Sequence, residues 1–486
     1  MEKYLERYQT WLTGEFFDQE TKQELEAIRD DDNEIRERFS VDLEFGTAGL
    51  RGIIGAGTNR MNKYVVRRAT QGIANYILGL DKNAASLKDG KTGAERGVVI
   101  AYDSRHMSKE FSDEVARCLA ANGIKAYRFE SLRPTPELSF SVRELGCIAG
   151  INVTASHNPS NYNGYKVYWE DGAQITPPHD TGIMKEVLAI EDFSTCRTMP
   201  AEEAKAAGLY VTVGKELDEK FIACVESTIL NKDLIREMAD ETTIVYTPLN
   251  GTGHVPVMRV MKDLGFRKVY EVPEQAEPDG NFPTTPSPNP EAAETFTLAL
   301  KLAKEKDADL VLATDPDADR LGIYVKDALG NRQPNVTMDM PYPEVTKRVR
   351  GAIEDYFKLE LGRPEILNRI GENIVVFDFI RREAGELILR SQVDKIIGKL
   401  RETRDIRVRI EDFAYDSLRE AALFDLSNGG RGIGNQVESL LINPLSRWLF
   451  DNGITDNADV ILEGFDVTAN PPCVRCRLEG GEKHGA

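Results

Sequence analysis

The sequence has little positive charge, few cysteines and no long apolar run. Its 61 Lys and Arg face 80 Asp and Glu, which gives a formal net charge of −19 at pH 7. Such an acidic chain disfavours nucleic acids and anionic membranes as general partners. No apolar run approaches the roughly 20 residues of a membrane-spanning helix, and residues 1–7 show no secretory leader. We therefore expect a cytoplasmic protein with neither a nucleic acid nor a membrane as its partner.

The six cysteines are too few and too scattered for a disulfide framework, which agrees with a reducing compartment. Cys473 and Cys476 form a single CxxC pair, but a structural zinc site needs four ligands, and His484 is the one further ligand nearby. We expect residues 471–486 to form a disordered tail with two free thiols.

The chain of 486 residues is 41% hydrophobic and 29% charged, as in soluble globular proteins. Its length predicts roughly three or four domains.

A short polar stretch, Thr-Ala-Ser-His-Asn-Pro at residues 154–159, follows an apolar run at 147–153 that predicts a buried strand. The Asn-Pro pair that ends the stretch is typical of a turn, so Ser156 is predicted to lie where a strand ends. A serine in that position, beside His157, is a candidate nucleophile or phosphate carrier. On these residues alone, a plain polar turn with a surface serine is an equally good interpretation.

A second polar loop contains Asp315, Asp317 and Asp319, directly after another predicted strand at residues 308–314. Carboxylates at alternate positions of a tight loop direct oxygens toward one point, as hard divalent cations require. An EF-hand loop would need Gly and Glu at its sixth and twelfth positions, but the sequence has Arg and Lys there. A solvated acidic turn is the other interpretation. We favour a metal site, because a bare cluster of like charges repels itself.

Four stretches together resemble the α-D-phosphohexomutases, the phosphoglucomutase/phosphomannomutase family. They are Phe-Gly-Thr-Ala-Gly-Leu-Arg-Gly at 45–52, the serine stretch at 154–159, Asn-Gly-Tyr-Lys at 163–166 and the aspartate loop at 315–320. Each stretch alone is weak evidence, but the set, in the family's order, is highly specific. The resemblance covers residues 1–330.

The resemblance implies catalytic roles for five residues. It makes Ser156 the carrier of a phosphoryl group and places Arg51 and Arg320 beside it as fixed positive charges. His157 and Lys166 become the candidates for proton transfer, a role that in Lys166 requires a lowered pKa.

The resemblance also implies a Mg²⁺ ion held by Ser156, Asp315, Asp317 and Asp319. The cation would offset the charge of the phosphoryl group as it leaves the serine. Glucose 1,6-bisphosphate is then the implied activator and intermediate, and a phosphorylated hexose is the implied substrate.

Strands that alternate with helices through the first two thirds of the chain predict largely parallel, helix-covered sheets. We expect two phosphohexomutase-type α/β domains, residues 1–200 with the serine loop and 201–330 with the metal loop. Ligands of such sheets bind beyond the carboxyl ends of the strands, which is where Ser156 and Asp315 are both predicted to lie.

Residues 341–470 resemble the C-terminal end of AAA+ ATPase modules of the Clp disaggregase type. The markers are Arg-Pro-Glu-Ile-Leu-Asn-Arg-Ile at 363–370 and Gly-Gly-Arg at 429–431. In that family the arginines that match Arg369 and Arg431 contact nucleotide. The chain has no P-loop, so we predict a mainly helical AAA+ small-domain-like region without ATPase activity. It would serve as a surface for a homo-oligomer or for a Clp-type partner.

The two resemblances meet at a junction, residues 331–340. The family's third-domain Gly-Glu-Glu-Ser loop and its fourth-domain phosphate-binding loop are not found after residue 330. A natural or engineered fusion and a splice of unrelated reading frames are both open explanations.

The favoured function is interconversion of hexose 1-phosphate and hexose 6-phosphate, with glucose preferred to mannose, through a phosphoserine and a bisphosphate. We expect turnover to be weak, because the loops that orient the sugar and its distal phosphate are not found. One alternative is a non-catalytic protein that assembles through residues 341–470. Another is a phosphatase in which water replaces the sugar.

Overall fold

The computed structural model describes residues 3–43, 49–326, 332–333, 336, 340–355, 376–424, 426, 429–466, 469 and 472–478. They belong to two compact units, Met1–Pro334 and Asn335–Ala486. Residues 45–48 of the first motif, Arg369 and the side chain of Arg431 lie outside the described part. Among the described helices, none is both long and apolar enough to cross a membrane.

The first unit is built on a six-stranded sheet. Its strands are β1 (Leu50–Ile53), β2 (Val98–Tyr102), β3 (Ala126–Phe129), β4 (Ala149–Val153), β5 (Tyr162–Trp169) and β6 (Tyr210–Val213), in the order β1-β5-β4-β2-β3-β6. β2, β3, β4 and β6 run parallel, and β5 is antiparallel to both β4 and β1. Every residue of β2 and β4 is buried, as in strands of a sheet covered on both faces.

Helices cover both faces of this sheet. The helices up to residue 227 are α1 (Lys3–Thr13), α2 (Gln19–Ala27), α3 (Asp32–Phe39), α4 (Lys63–Lys82), α5 (Gly93–Arg96), α6 (Ser108–Ala121), α7 (Thr135–Glu144), α8 (His179–Leu188), α9 (Ala201–Ala206) and α10 (Lys215–Ser227). Because side chains alternate along a strand, Val98 and Ile100 pack with α4 and α6, whereas Val99 and Ala101 pack with α7.

A second sheet follows in the same unit. Its strands are β7 (Thr243–Thr247), β8 (Lys268–Glu271), β9 (Leu310–Thr314), β10 (Leu321–Lys326) and β11 (Arg332–Gln333), in the order β11-β10-β9-β7-β8. β7 is parallel to β8 and β9, and β10 is antiparallel to β9. Its helices are α11 (Lys232–Met238), α12 (His254–Asp263), α13 (Pro273–Ala276) and α14 (Thr297–Lys306). The prediction of two α/β layers with mainly parallel strands is confirmed.

One detail of the predicted organisation is wrong. The predicted domain boundary at residue 200 precedes β6, but β6 pairs with β3 and completes the first sheet. In the second sheet's layer, a 3₁₀ turn at Ala293–Phe296 precedes α14. Just before this turn, the Asn289 side chain accepts a hydrogen bond from the Glu291 N–H.

The second unit contains a three-stranded sheet, β12 (Ile406–Ile410), β13 (Ala458–Asp466) and β14 (Cys473–Leu478), in that order. Its helices are α15 (Tyr342–Asp355), α16 (Arg382–Arg404), α17 (Asp412–Ala422), α18 (Gly429–Val437) and α19 (Asn443–Asp451). Leucines and isoleucines of α16 to α19 form one core with the sheet. The prediction of a mainly helical region did not include this sheet. The resemblance to an AAA+ module stays a prediction.

The expectation of a disordered tail is wrong for Cys473–Leu478, because this segment is β14 and pairs with β13. Cys473 and Cys476 are three residues apart in an extended strand, so their side chains point to opposite faces. Both thiols are free.

An aromatic cluster holds the three N-terminal helices together. Trp11 is 2% exposed and stacks on Phe17 with ring centroids 4.4 Å apart. Edge contacts at 5.4 Å join the same indole to Tyr64 and Phe193. The apolar face of α1 is thus buried against α4.

Replacing Trp11 with alanine should lower the free energy of unfolding by about 3–5 kcal/mol, because it removes the centre of this cluster and leaves a cavity. Denaturant unfolding of the full chain measures the change. Gln9→Ala, on the exposed face of the same helix, is the matched control and should stay within about 0.5 kcal/mol of the parent. Equal losses in the two variants would contradict the prediction.

Candidate active site

Ser156 lies on the loop that leaves the carboxyl end of β4, as predicted. Its backbone has φ of +55°, a left-handed conformation that is uncommon outside glycine and that tertiary contacts must hold. The Ser156 N–H donates to Thr154 Oγ1 at 2.8 Å. Its hydroxyl is buried and donates to Asp315 Oδ2, also at 2.8 Å. The serine is therefore joined to the aspartate loop of the second sheet.

The three aspartates follow the carboxyl end of β9. Asp315 and Asp317 are completely buried, and the Asp319 side chain is 33% exposed. One carboxylate oxygen from each lies within 4.8 Å of the others. The backbone N–H of Arg320 donates to Asp315 Oδ1 at 3.1 Å and closes the loop.

Two hydrogen-bond donors from the first α/β domain hold the Asp317 carboxylate. Lys166 Nζ on β5 and Thr135 Oγ1 at the start of α7 both donate to its Oδ2, at 2.8 and 2.7 Å. Asn152 on β4 in turn donates to Thr135 Oγ1 at 2.6 Å. The other oxygen, Asp317 Oδ1, is buried and has no hydrogen-bond partner within the described part of the chain.

This donor set fits a small divalent cation. It offers carboxylate oxygens, which Mg²⁺ prefers, and one of them, Asp317 Oδ1, has its hydrogen-bonding capacity unused. Asp315, Asp317 and Asp319 would hold the ion, and the Ser156 hydroxyl lies against one of the three.

The aspartates have divergent pKa values. Burial, reinforced by the negative charges of Asp317 and Asp319, raises the pKa of Asp315 well above its ordinary value. Burial acts in the same direction on Asp317, but the Lys166 ammonium outweighs it and lowers the pKa of that carboxyl. Asp319 has a raised pKa through burial and the charge of Asp317. Crowded carboxylates of this kind gain from a cation that offsets their repulsion.

Lys166 does not have the lowered pKa that a general base requires. Burial lowers the pKa of its ammonium, but Asp317 and Asp319 raise it above the ordinary value. Lys166 therefore keeps its proton and its positive charge in this arrangement.

Two arginines lie near the serine loop. Arg51 on β1 donates to Asn158 Oδ1 at 3.1 Å. Arg320 forms an ion pair with Glu291 at 2.9 Å, and its charge acts on His157. Gly49, directly before β1, lets the chain pass close to β5, because a Cβ there would come within 1.9 Å of the Tyr165 carbonyl oxygen.

The His157 imidazole is neutral at pH 7. Burial, followed by the charges of Arg320 and Arg51, lowers its pKa to about 4. Its Nδ1 is buried and lacks a hydrogen-bond partner among the described residues, so this side chain retains the capacity to exchange a proton.

The predicted site residues of the first unit thus come together around the contact between the serine loop and the aspartate loop: Arg51, Ser156, His157, Lys166, Asp315, Asp317, Asp319 and Arg320. Thr135, Asn152 and Arg105 were not predicted as site residues. Arg105 and Thr135 follow the carboxyl ends of β2 and β3, and Asn152 lies near that of β4, so the rule that located Ser156 would also have pointed to them.

Two family models match the chain at these same loops. They are domain I of the phosphoglucomutase/phosphomannomutase alpha/beta/alpha domains, over residues 42–193, and domain II, over residues 219–330. The fold and the site therefore define a phosphosugar-mutase-type pair of α/β domains. Through these two domains the chain belongs to the phosphoglucomutase/phosphomannomutase family.

Two curated relatives agree with this assignment by sequence. The phosphoglucomutase of Staphylococcus haemolyticus is 38% identical over 60% of this chain and 50% of its own length. The phosphopentomutase of Pongo abelii is 35% identical over 63% of this chain and 50% of its own. The chain spans about half the length of the curated relatives it matches. A solved structure of a putative phosphomannomutase from Thermus thermophilus aligns with 59% of this chain and 57% of its own, at 24% identity and a TM-score of 0.48.

The helix that carries Thr135 contains a buried acid. Glu137 is 2% exposed, and Arg133, its neighbour on the preceding turn, is engaged by both oxygens of Asp218 on α10 at 2.8 Å. Burial, with the added effect of Asp218, raises the pKa of Glu137 from 4.5 to about 8. The folded chain therefore keeps a proton on Glu137 that the unfolded chain loses.

This difference predicts a pH-dependent loss of stability. Between pH 4.5 and 8 the unfolded state binds fewer protons at Glu137 than the folded state does. The stabilisation that comes from the raised pKa is therefore complete below pH 4.5 and is lost as pH rises toward 8. Glu137→Gln removes the effect, and its stability relative to the parent should grow with pH, by at most about 1.4 kcal/mol per pH unit. Unfolding free energies at several pH values measure it. A difference between Glu137→Gln and the parent that stays constant with pH would refute the prediction.

Proposed function

We propose that this chain is a phosphosugar mutase that interconverts hexose 1-phosphate and hexose 6-phosphate, with glucose as the preferred sugar. The observation that carries the proposal is the contact of the Ser156 hydroxyl with Asp315 at 2.8 Å, beside two further carboxylates. A nucleophile, a cation site and fixed positive charges at one strand edge are the parts that phosphoryl transfer needs.

In the proposed reaction, phosphorylated Ser156 gives its phosphoryl group to the free hydroxyl of the sugar phosphate. The bond between phosphorus and the serine oxygen breaks, and the bond to the sugar oxygen forms, which yields glucose 1,6-bisphosphate. The sugar then turns over. The serine oxygen attacks the other phosphorus, the sugar oxygen leaves with a proton, and the phosphoserine is restored.

Each residue of the site has a proposed part. Ser156 carries the phosphoryl group, and Arg51 and Arg320 offset its negative charge. His157, neutral at pH 7 because of its lowered pKa, accepts the proton of the attacking sugar hydroxyl, and Lys166 supplies a proton or a positive charge. A bound Mg²⁺ would supply Lewis-acid stabilisation of the transferring charge.

The sugar is proposed from relatives rather than from contacts. The Staphylococcus protein is named a phosphoglucomutase and the Pongo abelii protein a phosphopentomutase. The name of the Staphylococcus protein is the reason for choosing glucose. Because of the name of the Pongo abelii protein, pentose phosphates are the competing substrates to include in an assay. We expect this chain to hold Mg²⁺ and to phosphorylate Ser156, but to turn the sugar over poorly or not at all. Groups remote from the reacting atoms supply much of the binding energy that orients a substrate, and the family's loops for the sugar and its distal phosphate are not found after residue 330.

The alternative of a non-catalytic protein that assembles through residues 341–470 gains no support from the relatives. Homo-oligomerisation and a Clp-type partner stay predictions, and size-exclusion chromatography tests both.

Incubation with glucose 1,6-bisphosphate and Mg²⁺ should add one phosphoryl group to the wild-type chain, because Ser156 lies against the cation site. Intact-mass spectrometry measures the gain. Ser156→Ala should gain nothing, and neither should wild type in excess EDTA.

Ser160→Ala is a matched control, since it removes a hydroxyl from the same loop outside the proposed chemistry. It should be phosphorylated as fast as the parent. Phosphorylation of Ser156→Ala, or none in the wild type with Mg²⁺, would refute the proposed function.

A further inference from the structure

Arg105 lies at the centre of the serine loop and has no part in the chemistry described above. It follows β2 at the carboxyl edge of the first sheet, and its side chain is completely buried. Its Nη1 donates to the carbonyl oxygens of Pro159 and Tyr162 at 2.7 and 3.1 Å. Its Nη2 donates to those of Asn158 and, at 2.6 Å, of Ser156 itself. One guanidinium thus binds four carbonyl groups of the loop.

The loop depends on these contacts because it forms few hydrogen bonds of its own. Within its described backbone, the Asn158 N–H donates to Ala155 and the Tyr162 N–H to Pro159. Ser156 also has a left-handed φ of +55°, which needs external support. A planar fork with several N–H groups reaches four acceptors, whereas the compact ammonium of lysine does not.

Arg105 also contacts the second α/β domain. The Phe282 ring lies over the guanidinium, with its centroid 4.9 Å from Cζ. The Phe282 loop approaches the backbone after Arg105 so closely that a Cβ at Gly280 would lie 2.8 Å from the backbone nitrogen of His106. A further contact comes from Ser287, which donates to the His157 carbonyl oxygen at 2.7 Å. The serine loop is therefore enclosed between Arg105 and a loop of the domain that carries the aspartates.

We propose that Arg105 is a positioning residue that fixes the Ser156 backbone so that its hydroxyl meets the aspartate loop. The inference rests on the proposed function, since it concerns the rate at which Ser156 takes up a phosphoryl group. Arg105 contacts backbone carbonyls and a ring of the second domain, and acts on the reaction through the orientation of the serine.

Arg96 offers a matched control. It is also buried, and it donates to the carbonyl oxygens of Gly146, Ser86 and Cys147 at 3.0, 3.2 and 3.2 Å. Two of these carbonyls, at residues 146 and 147, lie before β4, at the end of the strand opposite to Ser156. Arg96→Lys therefore removes the same kind of interaction from the same sheet without changing the serine loop.

The test compares wild type, Arg105→Lys and Arg96→Lys in the rate of phosphorylation by glucose 1,6-bisphosphate with Mg²⁺, followed by intact mass at several bisphosphate concentrations. A misplaced nucleophile lowers the maximal rate, by roughly 10²-fold for a displacement near 1 Å. Arg105→Lys should show that loss with a half-saturating concentration within about two-fold of wild type. Arg96→Lys should lower stability but keep the maximal rate. Equal rates in the two variants would overturn the proposal.

Two further measurements test the positioning role of Arg105, including the case in which Arg105→Lys does not fold. Phe282→Leu removes the ring over the guanidinium and should lower the maximal rate several-fold; if Arg105→Lys fails to fold, an unchanged rate in Phe282→Leu overturns the proposal. Hydrogen exchange without bisphosphate should rise at residues 154–162 in Arg105→Lys and not in Arg96→Lys. If the wild type itself gains no phosphoryl group, the proposed function fails, and the positioning role fails with it.

Discussion

The contact between Ser156 and Asp315 is the constraint on which the rest of the site depends. It joins the carboxyl ends of two sheets that share no strand, since β4 belongs to one and β9 to the other. Further contacts cross the same boundary, among them Lys166 and Thr135 to Asp317, Phe282 to Arg105 and Ser287 to His157. A site assembled in this way exists only while both sheets keep their relative placement.

The electrostatics of the site explain why these contacts are needed. Two completely buried carboxyl groups would be costly without compensating partners. Asp317 has Lys166 and Thr135 on one oxygen, while Asp315 has the serine hydroxyl and a backbone N–H. The divergent pKa values of Asp315 and Asp317 follow from this unequal supply of positive charge. A divalent cation would complete the compensation.

Local pattern was enough to locate the serine loop and the aspartate loop, because each follows a buried strand and contains residues typical of turns. The apolar runs before Ser156 and Asp315 predicted β4 and β9, and the strand-edge rule brought the two loops together. Arg105 and Thr135 were missed because their role is to contact groups far away in sequence. β6 and β14 were misassigned for a related reason: each is an edge strand, and its pairing partner, rather than its own pattern, decides its place.

The proposed function requires a cation site formed by Asp315, Asp317 and Asp319 of this chain. Calorimetric titration of the full chain with Mg²⁺ measures whether that site forms, with Asp317→Asn as the disrupted variant and Asp279→Asn, at a loop aspartate outside the triad, as the control. We expect one Mg²⁺ per wild-type chain, the same for the control, and no measurable binding to Asp317→Asn. Binding of Mg²⁺ to Asp317→Asn as tight as to wild type would show that the three aspartates do not form the site.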